Sequence, residues 1–134
     1  MEEKRPRVGS ATIVIHEEKI LLGKRNKKNA NGLWVIPGGR VDYGERIKDA
    51  AVRETKEETN LDVEIIKFVG YKEIIATHVD YHAIVFFYLA KPKHLKLEAR
   101  EDLSEAKFFS IEEIKKLDKV ESVEWALKEA GLWN

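Results

Sequence analysis

The sequence predicts an α/β protein: an α/β/α sandwich around a central mixed β-sheet, in one domain covering residues 1–134. Three observations predict it. Apolar runs of strand length alternate with segments of helical composition. No internal repeat, low-complexity tract or linker breaks the order. A chain of 134 residues buries about two thirds of its unfolded surface, which is ample for one core.

The elements follow in order. Thr12-Ile13-Val14-Ile15 and Ile20-Leu21-Leu22 flank the polar tetrapeptide His16-Glu17-Glu18-Lys19, the pattern of a β-hairpin over residues 8–25. Residues 26–32 are polar and end in Asn31-Gly32, a surface loop. It leads into a short strand, Leu33-Trp34-Val35-Ile36, that Pro37-Gly38-Gly39 stops. Residues 45–59 hold good helix formers without Gly or Pro, and Asn60 stands where a left-handed residue commonly closes a helix. Two runs rich in Ile, Val, Phe and Tyr, residues 63–76 and 81–90, are strands of one sheet, and Pro92 ends the second. After the charged stretch 93–105 comes Phe108-Phe109. Ser110 with Glu113 then forms a capping-box pattern that opens a helix with Ile111, Ile114 and Leu117 inward. A last helix carries Trp125.

Composition narrows the function classes. Lys plus Arg and Asp plus Glu are both 24, so the net charge is zero. That leaves no broad electrostatic footprint for nucleic acid or an acidic membrane. There is no cysteine, which excludes thiol nucleophiles, disulfides and thiolate metal sites. The start, Met1-Glu2-Glu3-Lys4-Arg5-Pro6-Arg7, is charged, no secretory apolar region follows it, and no run has membrane-spanning length. A cytoplasmic location is the expectation. Charged residues make up 36% against a usual share of about 25%, a profile that resembles proteins from hot environments.

The helix over residues 45–59 is anomalous as a purely structural element. With Ile47 at the origin of a helical wheel, Ala50, Ala51, Glu54 and Glu58 fall within roughly 60° of it, and Glu57 lies about 80° to one side. The core-facing stripe therefore turns acidic halfway along. Glu54 and Glu58 are an i,i+4 like-charge pair, which opposes the helix. They also sit in its last turns, where the macrodipole favours cations. Arg53 and Lys56 are near in sequence, but on the wheel neither neutralises the inner Glu54 and Glu58. A divalent cation would. Magnesium suits oxygen ligands and binds best when phosphates complete its shell. A solvated acidic helix face is the plain alternative in a chain this charged.

The flanking residues bear on that choice. From Gly39 the chain gives five residues, Glu45, seven residues, then Arg53-Glu54-Thr55-Lys56-Glu57-Glu58-Thr59-Asn60-Leu61. This resembles the Nudix box: Gly, five of any residue, Glu, seven of any, Arg-Glu, an apolar residue, any, Glu-Glu, any, Gly, apolar. The departures are Thr55 at the apolar position and Asn60 at the final glycine. Thr is small, and Asn tolerates the left-handed conformation. Leu22-Gly23-Lys24-Arg25 and Gly32-Leu33-Trp34-Val35-Ile36-Pro37-Gly38-Gly39 also resemble the family's approach to the box.

The resemblance implies roles. Glu54, Glu57 and Glu58, with the backbone carbonyl of Gly38, would bind one or more Mg2+ ions, with Mn2+ as a substitute. The same three glutamates are the catalytic candidates, and which of them accepts the proton of the attacking water varies within the family. Glu45 and Arg53 would be a scaffolding pair, since Arg holds a carboxylate bidentately. Gly38 and Gly39 would let backbone approach phosphates closely. Lys24 and Arg25 offer them positive charge. Glu101, Asp102 and Glu105 lie in the stretch from which some members recruit a further carboxylate, although acids are so frequent there that chance is the better explanation of each. Trp34 reads as core in preference to a base-stacking group. His78, Asp80, Tyr81 and His82 cluster between two strands, where they either meet the substrate's variable end or do nothing special.

What the resemblance implies overall is a metal-dependent pyrophosphohydrolase that cleaves a nucleoside diphosphate-X substrate by water attack on phosphorus. Nucleoside triphosphates and nucleotide sugars are the favoured small-molecule partners, with no nucleic acid and no membrane. The ADP-ribose-cleaving members usually carry a proline beyond the box where this chain has Ala76 and Thr77, which sets ADP-ribose behind them. The approach to the box also resembles GDP-mannose mannosyl hydrolases, whose box glutamates are altered. A GDP-sugar glycosyl hydrolase and a nucleotide-sensing module without turnover are the alternatives. The apolar content of the second half permits a homodimer.

Overall fold

The computed structural model describes residues 4–27 and 30–134. Residues 1–3 of the charged start, and 28–29 of the predicted loop, lie outside the described residues.

The first strand organises the molecule. β1 (Arg7–His16) turns back into β2 (Lys19–Arg25), with Ile15 opposite Ile20. The turn is made by Glu17 and Glu18, both left-handed at φ 49° and 64°, the backbone that a two-residue hairpin needs. β2 also pairs with β3 (Trp34–Val35) and, along its opposite edge, with β7 (Leu103–Phe109), Gly23 and Lys24 meeting both. β1 also runs parallel to β6 (Tyr81–Pro92), which is antiparallel to β5 (Val63–Ala76). The sheet is therefore mixed, as predicted, with the order β3-β2-β1-β6-β5.

Both faces are covered, and alternation along the strands shows it. Ile13, Ile20, Leu22, Phe87 and Phe109 enter one core with Ile114 of α2 (Ile111–Lys115) and Val123, Ala126 and Leu127 of α3 (Glu121–Glu129). Their chain neighbours Val14 and Leu21 enter a second core with Leu61, Val63 and Ala90. Val52 of α1 (Ile47–Thr59) packs against that second core. The α/β/α sandwich holds. Trp34 is a core residue, edge-on to Phe109 at 4.8 Å, and the Ser110–Glu113 capping box forms as read.

Three boundaries differ from the sequence expectation. The helix begins at Ile47, not at residue 45, because the Glu45 carboxylate is engaged by the backbone N–H of Asp42 and by Arg53 in the preceding loop. The short strand is only Trp34–Val35, and Pro37-Gly38-Gly39 does not end strand structure. Beyond Pro37 the chain re-enters the sheet as β4 (Gly38–Arg40), antiparallel to β1 with Gly38 opposite Ala11. Glycine permits this: a Cβ on Gly38 would lie 2.5 Å from the Ser10 carbonyl oxygen and 2.6 Å from the Ala11 Cβ. Finally, the charged stretch 93–105 already contains the start of β7 at Leu103.

Helix α1 lies across β1 and β4, with Ala50 and Ala51 fully buried. It closes at Asn60, left-handed at φ 66°, whose N–H donates to the Lys56 carbonyl and whose side chain donates to the Lys96 carbonyl at 2.9 Å. The departure from glycine at this position is thus accommodated as the residue type allows. Among the described residues no helix is long and apolar enough to cross a membrane.

Candidate active site

The last two turns of α1 face the loop that enters β4, where Glu58 and Glu54 meet Gly38 and Gly39, while Glu57 is held beside them by Arg53. Glu58 is 5% exposed and accepts a hydrogen bond from the Gly38 N–H at 2.9 Å. Burial pushes its carboxyl up to about 8, against the opposing pull of that N–H and of Arg25; Glu54 and Asp102 push it the same way as burial. A folded protein that keeps a glutamate in such surroundings is holding a strong acceptor for a cation.

Glu54 is half-buried and lies against Gly39: a Cβ on that glycine would be 2.2 Å from the Glu54 carboxylate. Gly39 is therefore the space into which the carboxylate fits. Burial raises the Glu54 carboxyl above its ordinary range, and the negative charges of Glu57 and Glu101 raise it further while Arg53 opposes them.

Arg53 is the hub. Its Nε and Nη2 donate to the two oxygens of Glu45 at 2.7 and 2.9 Å, the bidentate pairing predicted. Nη2 also donates to the Arg40 carbonyl at 2.9 Å, which ties α1 to β4. Nη1 donates to Glu54 at 2.8 Å and to Glu57 at 3.1 Å. The wheel reading, in which Arg53 leaves the inner Glu54 uncompensated, is corrected: the guanidinium reaches sideways to it. The Arg53 pair, aided by the Asp42 N–H, holds the Glu45 carboxyl down at about 2, and Glu45 in turn raises the Arg53 pKa above its ordinary value.

A divalent cation is tested against these residues by donor chemistry. Three carboxylates with all-oxygen donors, two of them raised by burial, suit Mg2+ or Mn2+. Among the described residues no group of three acidic or histidine side chains already stands in a metal-holding arrangement. Arg53 lies between Glu54 and Glu57 and holds both. The donor set fits such an ion, and in this structure two of the three carboxylates are paired with Arg53.

The remaining candidates divide. Arg25 bears electrostatically on Glu58, whereas Lys24 pairs with Glu105 at 3.5 Å. Glu101 and Asp102 are close enough to act on Glu54 and Glu58 respectively. His82, Asp80 and Tyr81 line a separate cleft of about 530 Å3 with Thr77 and residues 4–7, which shares no residue with the glutamate cluster. His78 lies in the short 3-10 turn Thr77–Val79 beside that cleft.

Residues the sequence reading passed over also build the site. Ser10 donates to the Ile47 carbonyl at 2.8 Å, and Thr12 is hydrogen-bonded to Thr55 across the β1–α1 interface. The available signal was the polar residue at every second position of an otherwise apolar strand, Ser10 and Thr12 before Val14, facing a helix with Thr55 where the box has an apolar residue.

Known proteins resemble this chain in sequence and in fold. The family model described as NUDIX domain matches residues 5–129. An ADP-ribose pyrophosphatase from Methanocaldococcus jannaschii is 33% identical over 84% of this chain and 66% of its own length. A putative 8-oxo-dGTP diphosphatase from Bacillus subtilis is 44% identical over 46% of this chain and 40% of its own length. The chain thus spans less than two thirds of these curated relatives. The crystal structure of a MutT NUDIX hydrolase from Burkholderia pseudomallei superposes with a TM-score of 0.84 at 25% identity, covering 93% of this chain and 98% of that one. With the box residues gathered at one helix end and a family match over nearly the whole sequence, the chain belongs to the NUDIX family.

Proposed function

We propose that the chain is a divalent-metal-dependent hydrolase that cleaves the diphosphate linkage of a nucleoside diphosphate-X substrate by water attack on phosphorus. The observation that carries this reading is Glu58, a nearly buried carboxylate held against the Gly38 loop with Glu54 beside it.

Glu54, Glu57 and Glu58, with the Gly38 carbonyl, are the proposed ligands. Bound there, Mg2+ supplies neutralisation of phosphate oxygens and a lowered pKa for a coordinated water. A carboxylate of the cluster not spent on the metal accepts the proton of the attacking water. Glu101 and Asp102, already within electrostatic reach, are the proposed source of any additional ligand. Arg53, with Glu45 on its other side, keeps α1 and the β4 loop in register. Arg25 supplies positive charge near the phosphates; Lys24 would first have to leave Glu105. Gly38 and Gly39 keep the loop free of side chains on the approach of the diphosphate.

Nucleoside triphosphates, oxidised ones included, and nucleotide sugars are the proposed substrates. The name of the archaeal relative adds ADP-ribose as a second reading, despite Ala76 and Thr77 at the proline position. A magnesium-dependent screen over these compounds, with identification of products, tests both. Nucleoside monophosphate as product supports phosphorus attack. Free sugar would point to glycosyl transfer to water, and no turnover across the panel to a nucleotide-sensing module.

A further inference from the structure

We propose that Thr12 and Thr55 are a positioning pair whose hydroxyl contact sets the distance of α1 from β1 and so holds Glu58 against the Gly38 loop. The consequence for metal binding rests on the function proposed above; the geometric claim does not.

Both residues are fully buried, one on the strand and one on the helix, with their hydroxyls hydrogen-bonded to each other. The direction of that bond follows from counting protons. The Thr55 hydroxyl donates to the Ala51 carbonyl at 2.8 Å, and a hydroxyl has a single hydrogen. Thr12 is therefore the donor and Thr55 the acceptor.

Thr12 occupies a junction. Its backbone N–H donates to the Pro37 carbonyl at 3.0 Å, and the next residue, Gly38, donates its own N–H to Glu58. Thr55 sits on α1 between Glu54 and Glu58. One strand residue thus grips the loop through its backbone and the helix through its side chain, and the Gly38–Glu58 bond closes the circuit.

The hydroxyls matter because oxygen approaches oxygen more closely than carbon approaches carbon. Hydrogen-bonded hydroxyls sit about 2.5 to 3.0 Å apart, whereas carbon atoms settle at about 3.5 to 4.0 Å. An apolar pair would therefore push α1 away from β1 by roughly 1 Å at this point. The Gly38–Glu58 bond, 2.9 Å long, lies on the same interface and would be stretched beyond hydrogen-bonding range. Thr55 replaces the apolar residue of the box pattern, and Thr12 is the partner that makes the replacement work.

The test uses the full chain with Thr12→Val, Thr55→Val, the double variant and Thr55→Ser. Removing both hydroxyls together leaves neither threonine partner orphaned, so the double variant is expected to fold, with a melting temperature lowered only by the loss of the Gly38–Glu58 bond. Amide exchange of Gly38, followed by NMR in metal-free protein, is expected to be at least tenfold faster in the double variant. Calorimetric Mn2+ affinity is expected to fall at least tenfold, and Thr55→Ser to retain both properties. A double variant with parental Gly38 protection and parental Mn2+ affinity overturns the proposal. If the valine pair does not fold, Thr55→Ser against Thr55→Ala makes the same comparison: protection kept by serine and lost by alanine supports the pair, and equal protection in both overturns it. A parent that takes up no Mn2+ contradicts the proposed chemistry, while the Gly38 exchange still decides the positioning claim.

Discussion

Glu58→Gln should make the metal-free protein more stable, and increasingly so as pH rises. Glu58 has its carboxyl pushed from 4.5 to about 8, chiefly by burial. Between those values the native state keeps a proton that the unfolded state has released, so unfolding loses a proton and stability falls as pH rises through the window. Below the unfolded value the penalty is absent. Across the window every pH unit costs the native state about 1.4 kcal/mol, which sums to about 3 kcal/mol at pH 7 and about 5 kcal/mol at pH 9. Glutamine matches the protonated carboxyl in shape and still accepts from the Gly38 N–H, so it removes the penalty without opening a cavity. The assay is urea denaturation of parent and variant in chelator at pH 4.5, 7 and 9. The two curves should nearly coincide at pH 4.5 and separate in the variant's favour above it. Saturating Mg2+ should then narrow the gap at pH 9 by stabilising only the parent, through ligand linkage. A variant no more stable than the parent at pH 9 without metal would refute the reasoning, because Glu58 would then carry no desolvation cost for a cation to relieve.

Three further outcomes follow from the geometry. Gly39→Ala places a Cβ 2.2 Å from the Glu54 carboxylate; the flexible end of that side chain moves, so the fold should persist while half-saturation by Mg2+ rises at least tenfold, as read by metal titration alongside circular dichroism. Glu57→Gln should lower turnover by about two orders of magnitude or more with an unchanged melting temperature, and near-parental turnover on the natural substrate would remove Glu57 from the machinery. Asn60→Ala should cost about 1 kcal/mol in chemical denaturation, since alanine is disfavoured at φ 66° and loses the bond to Lys96, whereas Asn60→Gly should cost less.

Much of the site is visible from local sequence because helical geometry is regular. Residues four apart must share a face, so Glu54 and Glu58 were bound to converge once residues around them formed a helix. The Asn60 terminus and the Ser110–Glu113 cap have local signatures for the same reason: their hydrogen bonds are made within a few residues. Trp34 in the core followed from its place in a short apolar strand. What stayed hidden depends on side-chain reach and on pairs distant in sequence. A wheel treats Arg53 as a direction, but its stem and planar fork let it serve Glu45, Glu54 and Glu57 at once. Pro37-Gly38-Gly39 looked like a stop because a turn and a strand re-entry use the same residues, and only the presence of β1 beside them selects re-entry.

The sequence by itself determined the alternation of strands and helices, the acidic stripe on α1 and the box that ties it to the NUDIX family. All of these are set by periodicity and by spacing over about two dozen residues. Tertiary structure alone decided that the Glu58 carboxyl is the strongly raised one, that Gly39 makes room for Glu54, and that Thr12 meets Thr55. Burial and contact are properties of the assembled interface between β1, β4 and α1, where residues up to 43 positions apart come together, and no local pattern carries that separation.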